Sequence, residues 1–106
     1  MNSGTNCLNM EGTLSAVLPR EHTKKGFEYL PIVIDVIGSR WSQFLTVRVQ
    51  NGEKYDLIEE TEIGSKITVQ VEIIGWEWKT PNDGVKRGLY LNGTDLHWGW
   101  LSELTK

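Results

Sequence analysis

Apolar and polar residues alternate along five segments of the chain with the period of two that is typical of β-strands. The predicted strands cover residues 11–18, 27–37, 42–50, 67–78 and 89–98. In the second segment the alternation places Leu30, Ile32 and Ile34 on one face, and it places Tyr29, Val33 and Asp35 on the other. Each strand therefore has one face suited to a core and one face suited to solvent or to a ligand.

One stretch, residues 53–62, is compatible with a short helix, and it follows the turn signal Asn51-Gly52. Five strands with their longest interruption between the third and the fourth are typical of an OB-fold barrel. An SH3-like barrel would have shorter strands, and a β-sandwich would need more of them. We therefore predict an all-β, five-stranded OB-fold barrel with one short helical segment between strands three and four. The domain spans residues 11–100, flanked by a flexible tail at 1–10 and a second tail at 101–106.

The length and composition of the chain indicate the compartment in which the protein is expected. The length of 106 residues suits one domain, and no segment approaches the roughly 20 apolar residues that a membrane span needs. The first nine residues are polar and lack the features of a secretory signal, and Cys7 is the only cysteine. We therefore expect a cytoplasmic protein that does not associate with membranes. The net charge of −3 counts against nucleic-acid binding unless the cations are clustered.

Such a cluster is predicted around strands two and three. Tyr29, Phe44 and Arg48 fall on the face opposite the apolar one, and OB folds bind their ligands across these two strands. The loops that flank this face carry Lys24 and Lys25 on one side and Lys79, Lys86 and Arg87 on the other. Aromatic faces beside cations suit single-stranded nucleic acid, because bases stack on the rings while the cations contact phosphates. Trp41, in a predicted turn, completes the candidate site.

Other interpretations of the aromatic residues remain open. Tyr29 and Phe44 could each cover the barrel or fill a dimer interface. If Gly75 forms a bulge, Trp76 and Trp78 would turn inward and close the end of the barrel, which is the favoured interpretation. Trp98 and Trp100 could cap the bottom of the barrel or meet a second subunit, and Trp41 is expected to be the most exposed of the tryptophans. The polar segment 79–88 is predicted to be a long mobile loop that closes over a ligand.

Several short segments carry a family resemblance. They are Glu-Gly-Thr-Leu at 11–14, Lys-Gly-Phe-Glu-Tyr at 25–29, Tyr-Asp-Leu at 55–57, Ile-Gly-Ser-Lys-Ile at 63–67, and Trp76. In these the chain resembles a family of short OB-fold proteins of bacteria and their phages, related in architecture to single-stranded DNA-binding proteins and to the primosomal protein PriB. The resemblance implies an OB fold and a single-stranded nucleic-acid ligand. The segment 79–88 is longer than the turn expected in that family.

No enzymatic chemistry is predicted. His22 and His97 lie in different regions without metal-ligand spacing, and the pair Glu59-Glu60 is more typical of a solvated surface than of a catalytic dyad. We therefore expect no catalytic residue, no metal and no cofactor. The predicted function is binding of single-stranded DNA, with RNA as a second candidate ligand, in phage or bacterial replication, recombination or repair. A homo-oligomer is expected, with replication or recombination proteins as further partners. The alternatives are a protein-interaction module that uses the same face and, third, carbohydrate binding by the tryptophans.

Overall fold

Strands account for most of residues 7–36, 41 and 43–100, which are the residues that the computed structural model describes. The elements in chain order are β1 (Cys7–Val17), β2 (Glu21–His22), β3 (Glu28–Val36), β4 (Gln43–Val49), a 3-10 turn (Gly52–Lys54), α1 (Tyr55–Glu60), β5 (Lys66–Thr80) and β6 (Gly84–Trp98). The predicted helical segment thus forms as a 3-10 turn that continues into a short α-helix. Its start is capped by the side chain of Asn51, which accepts a hydrogen bond from the backbone N–H of Glu53.

Five of the strands close into a ring in the order β1–β3–β4–β6–β5 and back to β1. All pairings in the ring are antiparallel except that of β4 with β6, which is parallel. The short strand β2 adds to the outer edge of β3 through Glu21 and His22. This closed order, with the helix between β4 and β5, confirms the predicted OB fold.

The core lies inside the ring and is built from one face of each strand. Its fully buried members are Leu14, Leu30, Ile32, Ile34, Val47, Ile67, Val69 and Val71, joined by Ile58 of the helix. Burying each of these side chains contributes about 1.5–3 kcal/mol. Tyr55 anchors α1 over the open end of the ring, because its ring is buried and its hydroxyl donates to the carbonyl oxygen of Glu28.

The second end-closing contact comes from the last two tryptophans. The indole N–H of Trp98 donates to Thr61 Oγ1 at 2.9 Å, and that of Trp100 donates to the carbonyl oxygen of Gly12 at 2.9 Å. The ammonium group of Lys66 lies 4.6 Å from the centre of the Trp100 ring. These contacts within the chain favour the first of the two alternatives, in which Trp98 and Trp100 cap the bottom of the barrel, although 43% of Trp98 stays exposed.

A β-bulge interrupts the β5–β6 ladder, but at a different place from the one predicted. Gln70 pairs with Asp95 and Val71 pairs with Gly93, so Thr94 is the extra residue. Gly75 pairs regularly with Leu89, and the prediction of a bulge at Gly75 is therefore wrong. The hydroxyl of Thr94 bonds to the carbonyl and side-chain oxygens of Gln70, which stabilises the bulge where the structure has it.

The segment 79–88 is a β-hairpin, so its prediction as a long irregular loop is wrong. β5 runs to Thr80 and β6 begins at Gly84, and these two residues still pair with each other. The turn is held by Thr80, whose hydroxyl donates to the Gly84 carbonyl and accepts from the backbone N–H of Asp83. Gly84 supplies the positive φ of 77° that this tight turn needs. Residues 81–83 alone connect the strands, which is too short a segment for a closing loop.

β1 begins at Cys7, ahead of the predicted domain start at residue 11. Cys7 pairs with Glu72 and Met10 pairs with Val69, and the side chain of Met10 is buried. In the described ranges, 7–36, 41 and 43–100, no helix is long and apolar enough to cross a membrane.

Arg20 joins the loop after β1 to the helix. Its guanidinium donates two hydrogen bonds to Glu59 and one to Asp56, and it also lies 5.0 Å from the centre of the Tyr55 ring. The Arg20 guanidinium holds the pKa of Glu59 below its usual value, and these same bonds raise the pKa of Arg20. This cation is therefore committed to the helix, although it is near Lys24 and Lys25 in sequence.

Closure of the ring depends on the absence of a side chain at position 12. A Cβ atom at Gly12 would overlap the carbonyl oxygen of Asp35 and lie 2.8 Å from Ile34 Cγ2. We expect Gly12→Ala to lower the free energy of unfolding by about 1–3 kcal/mol, measured by urea denaturation, because β1 and β3 must separate. Gly52→Ala is the control, since its Cβ would come no closer than 3.9 Å to a neighbouring atom. Equal stability of both variants would contradict this account.

Candidate nucleic-acid interface

An open groove of about 720 Å³ lies on the outer face of the barrel, between the β2 region and the β5–β6 hairpin. We call it the aromatic groove. Its walls are formed by His22, Thr23, Lys24, Tyr29, Arg48, Trp76, Trp78 and Tyr90. Five strands or their connections therefore contribute to one surface that has both aromatic rings and cations.

Arg48 lines the groove, and its guanidinium contacts two tyrosine rings. Its guanidinium carbon lies 4.7 Å from the centre of the Tyr29 ring and 4.2 Å from that of Tyr90. Both contacts are cation–π interactions, each worth about 0.5–2 kcal/mol. Within residues 7–36, 41 and 43–100, no ion pair engages this guanidinium. Arg48 is thus fixed in position while its charge stays available to an anion.

Tyr29 is in the groove as predicted, but its ring is not an open stacking surface. Only 8% of the residue is exposed, and its hydroxyl donates to Glu21 Oε1 at 3.2 Å. One side of the ring is covered by Arg48. Tyr29 therefore supports Arg48 from β3, and the two share the outer face that the alternation predicted.

Trp76 and Trp78 form the most open aromatic wall. They are 43% and 45% exposed, and their rings stack with centres 6.0 Å apart and planes 13° apart. Trp76 also contacts Tyr90, with ring centres 5.8 Å apart. The prediction that both tryptophans turn inward is wrong, because β5 keeps its alternation through Gly75 and leaves them on the outer face.

Gly88 makes room for this stack. It pairs with Trp76 across the hairpin, and a Cβ atom there would lie 2.5–2.9 Å from three atoms of the indole ring. Real Cβ atoms essentially never come so close to carbon atoms, so any larger residue would displace the ring. Glycine at this position therefore lets Trp76 lie flat across β6.

The predicted lysines and arginines divide between the two faces of the hairpin. Side chains that are directly opposed in an antiparallel ladder share a face, so Lys86 lies on the groove face with its partner Trp78. Lys79 and Arg87 lie on the reverse face, where Arg87 donates to Glu77 at 2.7 Å. Lys86 is 3.8 Å from Asp83, an exposed ion pair of small energy.

On the opposite side of the groove, Lys24 lines the wall directly, and Lys25 is its exposed neighbour in the turn. Within the ranges that the structure describes, no ion pair involves either lysine. Arg48, Lys24 and Lys86 are thus the cations placed at the groove, with Lys25 next to it. These positive charges are local, although the chain as a whole is acidic.

Phe44 and Trp41 are exposed by 61% and 71%, but neither lines the groove. Phe44 shares the outer face of β4 with Arg48 and lies four residues away, about 13 Å along the strand. Phe44 and Trp41 are therefore not part of the groove; a ligand would contact them only if it continued past the groove towards the start of β4. Trp41 is the most exposed of the five tryptophans, in agreement with the prediction.

The His, Cys, Asp and Glu side chains of the described residues do not form a metal-binding cluster. No group of three or more His, Cys, Asp or Glu side chains could hold a metal ion within residues 7–36, 41 and 43–100. His22 at the groove is exposed and lies 3.7 Å from Glu28, while His97 lies 3.1 Å from Asp95 on β6.

Sequence reasoning missed Trp76, Trp78 and Tyr90 as groove residues. The signal was present for the tryptophans, because they continue the parity of Gln70 and Glu72 rather than that of Val69 and Val71. Tyr90 could not be placed without knowing the hairpin register, in which it opposes Ile74.

The fold is similar to that of known single-stranded DNA-binding proteins. The S. cerevisiae mitochondrial single-stranded DNA-binding protein Rim1 has a TM-score of 0.70 and 14% identity, over 87% of this chain and 92% of that chain. The Plasmodium falciparum SSB, solved in complex with ssDNA, has a TM-score of 0.62 and 16% identity, over 92% of this chain and 98% of that chain. No protein-family model and no curated protein sequence matches the chain. The likeness confirms the predicted similarity in fold to single-stranded DNA-binding proteins, and it does not extend to the bacterial and phage proteins or to PriB.

The steric role of Gly88 predicts a defined spectroscopic change. In Gly88→Ala the Trp76 ring must move, and we expect the exciton signal of the stacked pair with Trp78 to weaken in far-ultraviolet circular dichroism. The matched control is Gly75→Ala on the paired strand, where the Cβ would meet nothing closer than 3.7 Å. An unchanged signal in Gly88→Ala would show that the ring stack does not depend on this glycine.

Proposed function

We propose that this protein binds single-stranded DNA in the aromatic groove. The observation that carries the proposal is the stacked, half-exposed pair Trp76–Trp78 beside the positioned guanidinium of Arg48. Any base can stack on a flat aromatic ring, and a cation beside the ring can contact the phosphate between two bases. The likeness in fold to proteins named for single-stranded DNA binding supports the same ligand class.

In this proposal, bases stack on Trp76 and Trp78 while phosphates contact Arg48, Lys24 and Lys86. Each base stacked on an aromatic side chain contributes about 1–3 kcal/mol, and it does so with little dependence on sequence. A base within a duplex keeps both of its faces against its neighbours and cannot reach such a surface. We therefore expect preference for single strands over duplex and weak base specificity.

The distribution of charge sets the strength of the electrostatic contribution. Three cations line or face the groove, and the net charge of the chain is −3. The affinity should therefore fall with salt, but with a shallow slope, because few counterions are released from the strand. Stacking supplies the larger part of the free energy of binding in this proposal.

The wider role that we propose is non-enzymatic and cytoplasmic, in phage or bacterial DNA replication, recombination or repair. RNA is the second candidate ligand, since stacking and phosphate contacts do not by themselves distinguish the sugars. A homo-oligomer would join several aromatic grooves into a longer track for one strand. Replication or recombination proteins are the further partners that fit this role.

Removal of one ring of the Trp76–Trp78 stack tests the observation on which the proposal rests. We expect Trp78→Ala to weaken binding of oligothymidine by about 1–3 kcal/mol, or about 5- to 150-fold, in fluorescence anisotropy. Trp98→Phe is the control, because Trp98 has a similar exposure of 43% but lies at the helix end of the barrel. The thermal midpoints of both variants should be measured beside the affinity. Equal affinity for Trp78→Ala and wild type, with both folded, would contradict the proposal.

Arg48 lines the aromatic groove and Arg87 lies on the reverse face of the hairpin, so we expect their substitution to affect DNA binding differently. Arg48→Gln should weaken oligothymidine binding and reduce the magnitude of the salt slope by about 0.7, the value for one phosphate contact on a single strand. Arg87→Gln makes the same change in net charge on the reverse face, where the guanidinium bonds to Glu77. We expect its slope to equal that of wild type. Equal effects of the two substitutions would indicate a diffuse field rather than a contact at Arg48.

A further inference from the structure

A second groove, of about 300 Å³, lies at the helix end of the barrel. It is lined by Leu57, Glu60, Thr61 and Trp98, and we call it the α1 groove. Leu57 and Trp98 are large apolar residues, yet 56% and 43% of their surfaces are exposed. Ile63, which follows closely in sequence, is exposed by 57%. Apolar side chains grouped on a surface in this way are typical of a site that another molecule covers.

The α1 groove is preorganised by two hydrogen bonds. The indole N–H of Trp98 donates to Thr61 Oγ1 at 2.9 Å, and the same hydroxyl donates to the carbonyl oxygen of Leu57 at 2.6 Å. Thr61 therefore fixes the edge of the Trp98 ring to the C-terminal turn of α1. Because the indole is already ordered, a ligand that packs on its face loses little side-chain entropy on binding.

The charge around the α1 groove is negative. Glu60 is part of the wall, and Glu62 follows it. Within the part of the chain that the structure describes, neither carboxylate takes part in an ion pair, whereas Asp56 and Glu59 are held by Arg20. Uncompensated carboxylates repel phosphates and attract Lys and Arg side chains. The α1 groove is thus opposite in charge to the cation-bearing aromatic groove.

The two grooves are separate enough to be occupied together. Trp98 is at the end of β6, eight residues from Tyr90 of the aromatic groove. Eight residues of strand span about 27 Å, which exceeds the screening length at physiological salt. The two grooves also share no lining residue, so a ligand in one of them does not fill the other.

We propose that the α1 groove binds a basic, apolar segment of a partner protein, with a bulky aliphatic side chain flanked by Lys or Arg. The aliphatic side chain would pack between Leu57 and Trp98. A flanking cation would pair with Glu60 or lie over the indole face in a cation–π interaction. The inference does not depend on the proposed function of the aromatic groove, because the two surfaces share no residue.

The test uses the full chain and a short synthetic peptide of alternating Lys and Leu residues, with a counterpart in which Glu replaces Lys. The indole N–H resonance of Trp98, assigned by its loss in Trp98→Phe, reports on the groove in two-dimensional NMR. We expect the Lys–Leu peptide to shift this resonance and to leave those of Trp76 and Trp78 in place. The Glu–Leu peptide should shift none of them.

Two pairs of variants distinguish specific binding of the peptide in the α1 groove from nonspecific attraction to the protein surface. Glu60→Lys should weaken the Lys–Leu peptide about tenfold, whereas Glu53→Lys, about 10 Å away along the helical segment, should change its affinity by less than about twofold. Leu57→Ser should also weaken binding, and Leu89→Ser, exposed at the other end of the molecule, should not. Equal effects within either pair would overturn the proposal. A Trp98 shift that depends on protein concentration without peptide would also overturn it, in favour of a second copy of the chain.

Discussion

The unbroken alternation of β5 is the constraint that connects the core of this protein to its candidate site. One face of the strand supplies Ile67, Val69 and Val71 to the interior of the ring. Because side chains alternate strictly along a strand, the opposite face must present Trp76 and Trp78 once the strand extends past the barrel. A single bulge in β5 would have turned these rings inward. The bulge lies in β6 instead, where the extra residue Thr94 leaves the parity of β5 intact.

The hairpin formed by β5 and β6 uses its two faces for different purposes. On the groove face, Trp78 opposes Lys86, and Gly88 gives Trp76 the space to lie flat. On the reverse face, Arg87 points away from the groove and is bonded to the carboxylate of Glu77. The cations that matter for a ligand are thus those whose strand register places them beside exposed rings. The number of basic residues in a segment does not show how many of them a ligand in the groove can contact.

Charge separation explains how an acidic chain can present a basic surface. Arg20 is drawn to α1 by Asp56 and Glu59, and Lys54 is drawn to Asp95, whose pKa it lowers. These pairs leave Glu60 and Glu62 as uncompensated charge near the helix, and Arg48 as uncompensated charge in the aromatic groove. The molecule therefore has opposite local fields at two surfaces, which favour ligands of opposite charge. Nucleic acid fits the first, and a basic protein segment fits the second.

The sequence by itself was sufficient for the positions of the five main strands along the chain, the helical segment before β5, and the outer face that carries Tyr29, Phe44 and Arg48. These follow from local alternation and turn residues, which depend on neighbours along the chain. The assembly of the groove was decided only by the tertiary structure. Segment 79–88 became a hairpin because Val85 and Lys86 found partners on β5. The dipeptide Asp83-Gly84 is a local signal for a hairpin turn, but it does not determine how far the two strands pair on either side of the turn. Tyr29 and Tyr90, which are far apart in sequence, both contact the guanidinium of Arg48 in the folded chain. Contacts between residues far apart in sequence depend on register and on the position of one bulge, which local patterns do not encode.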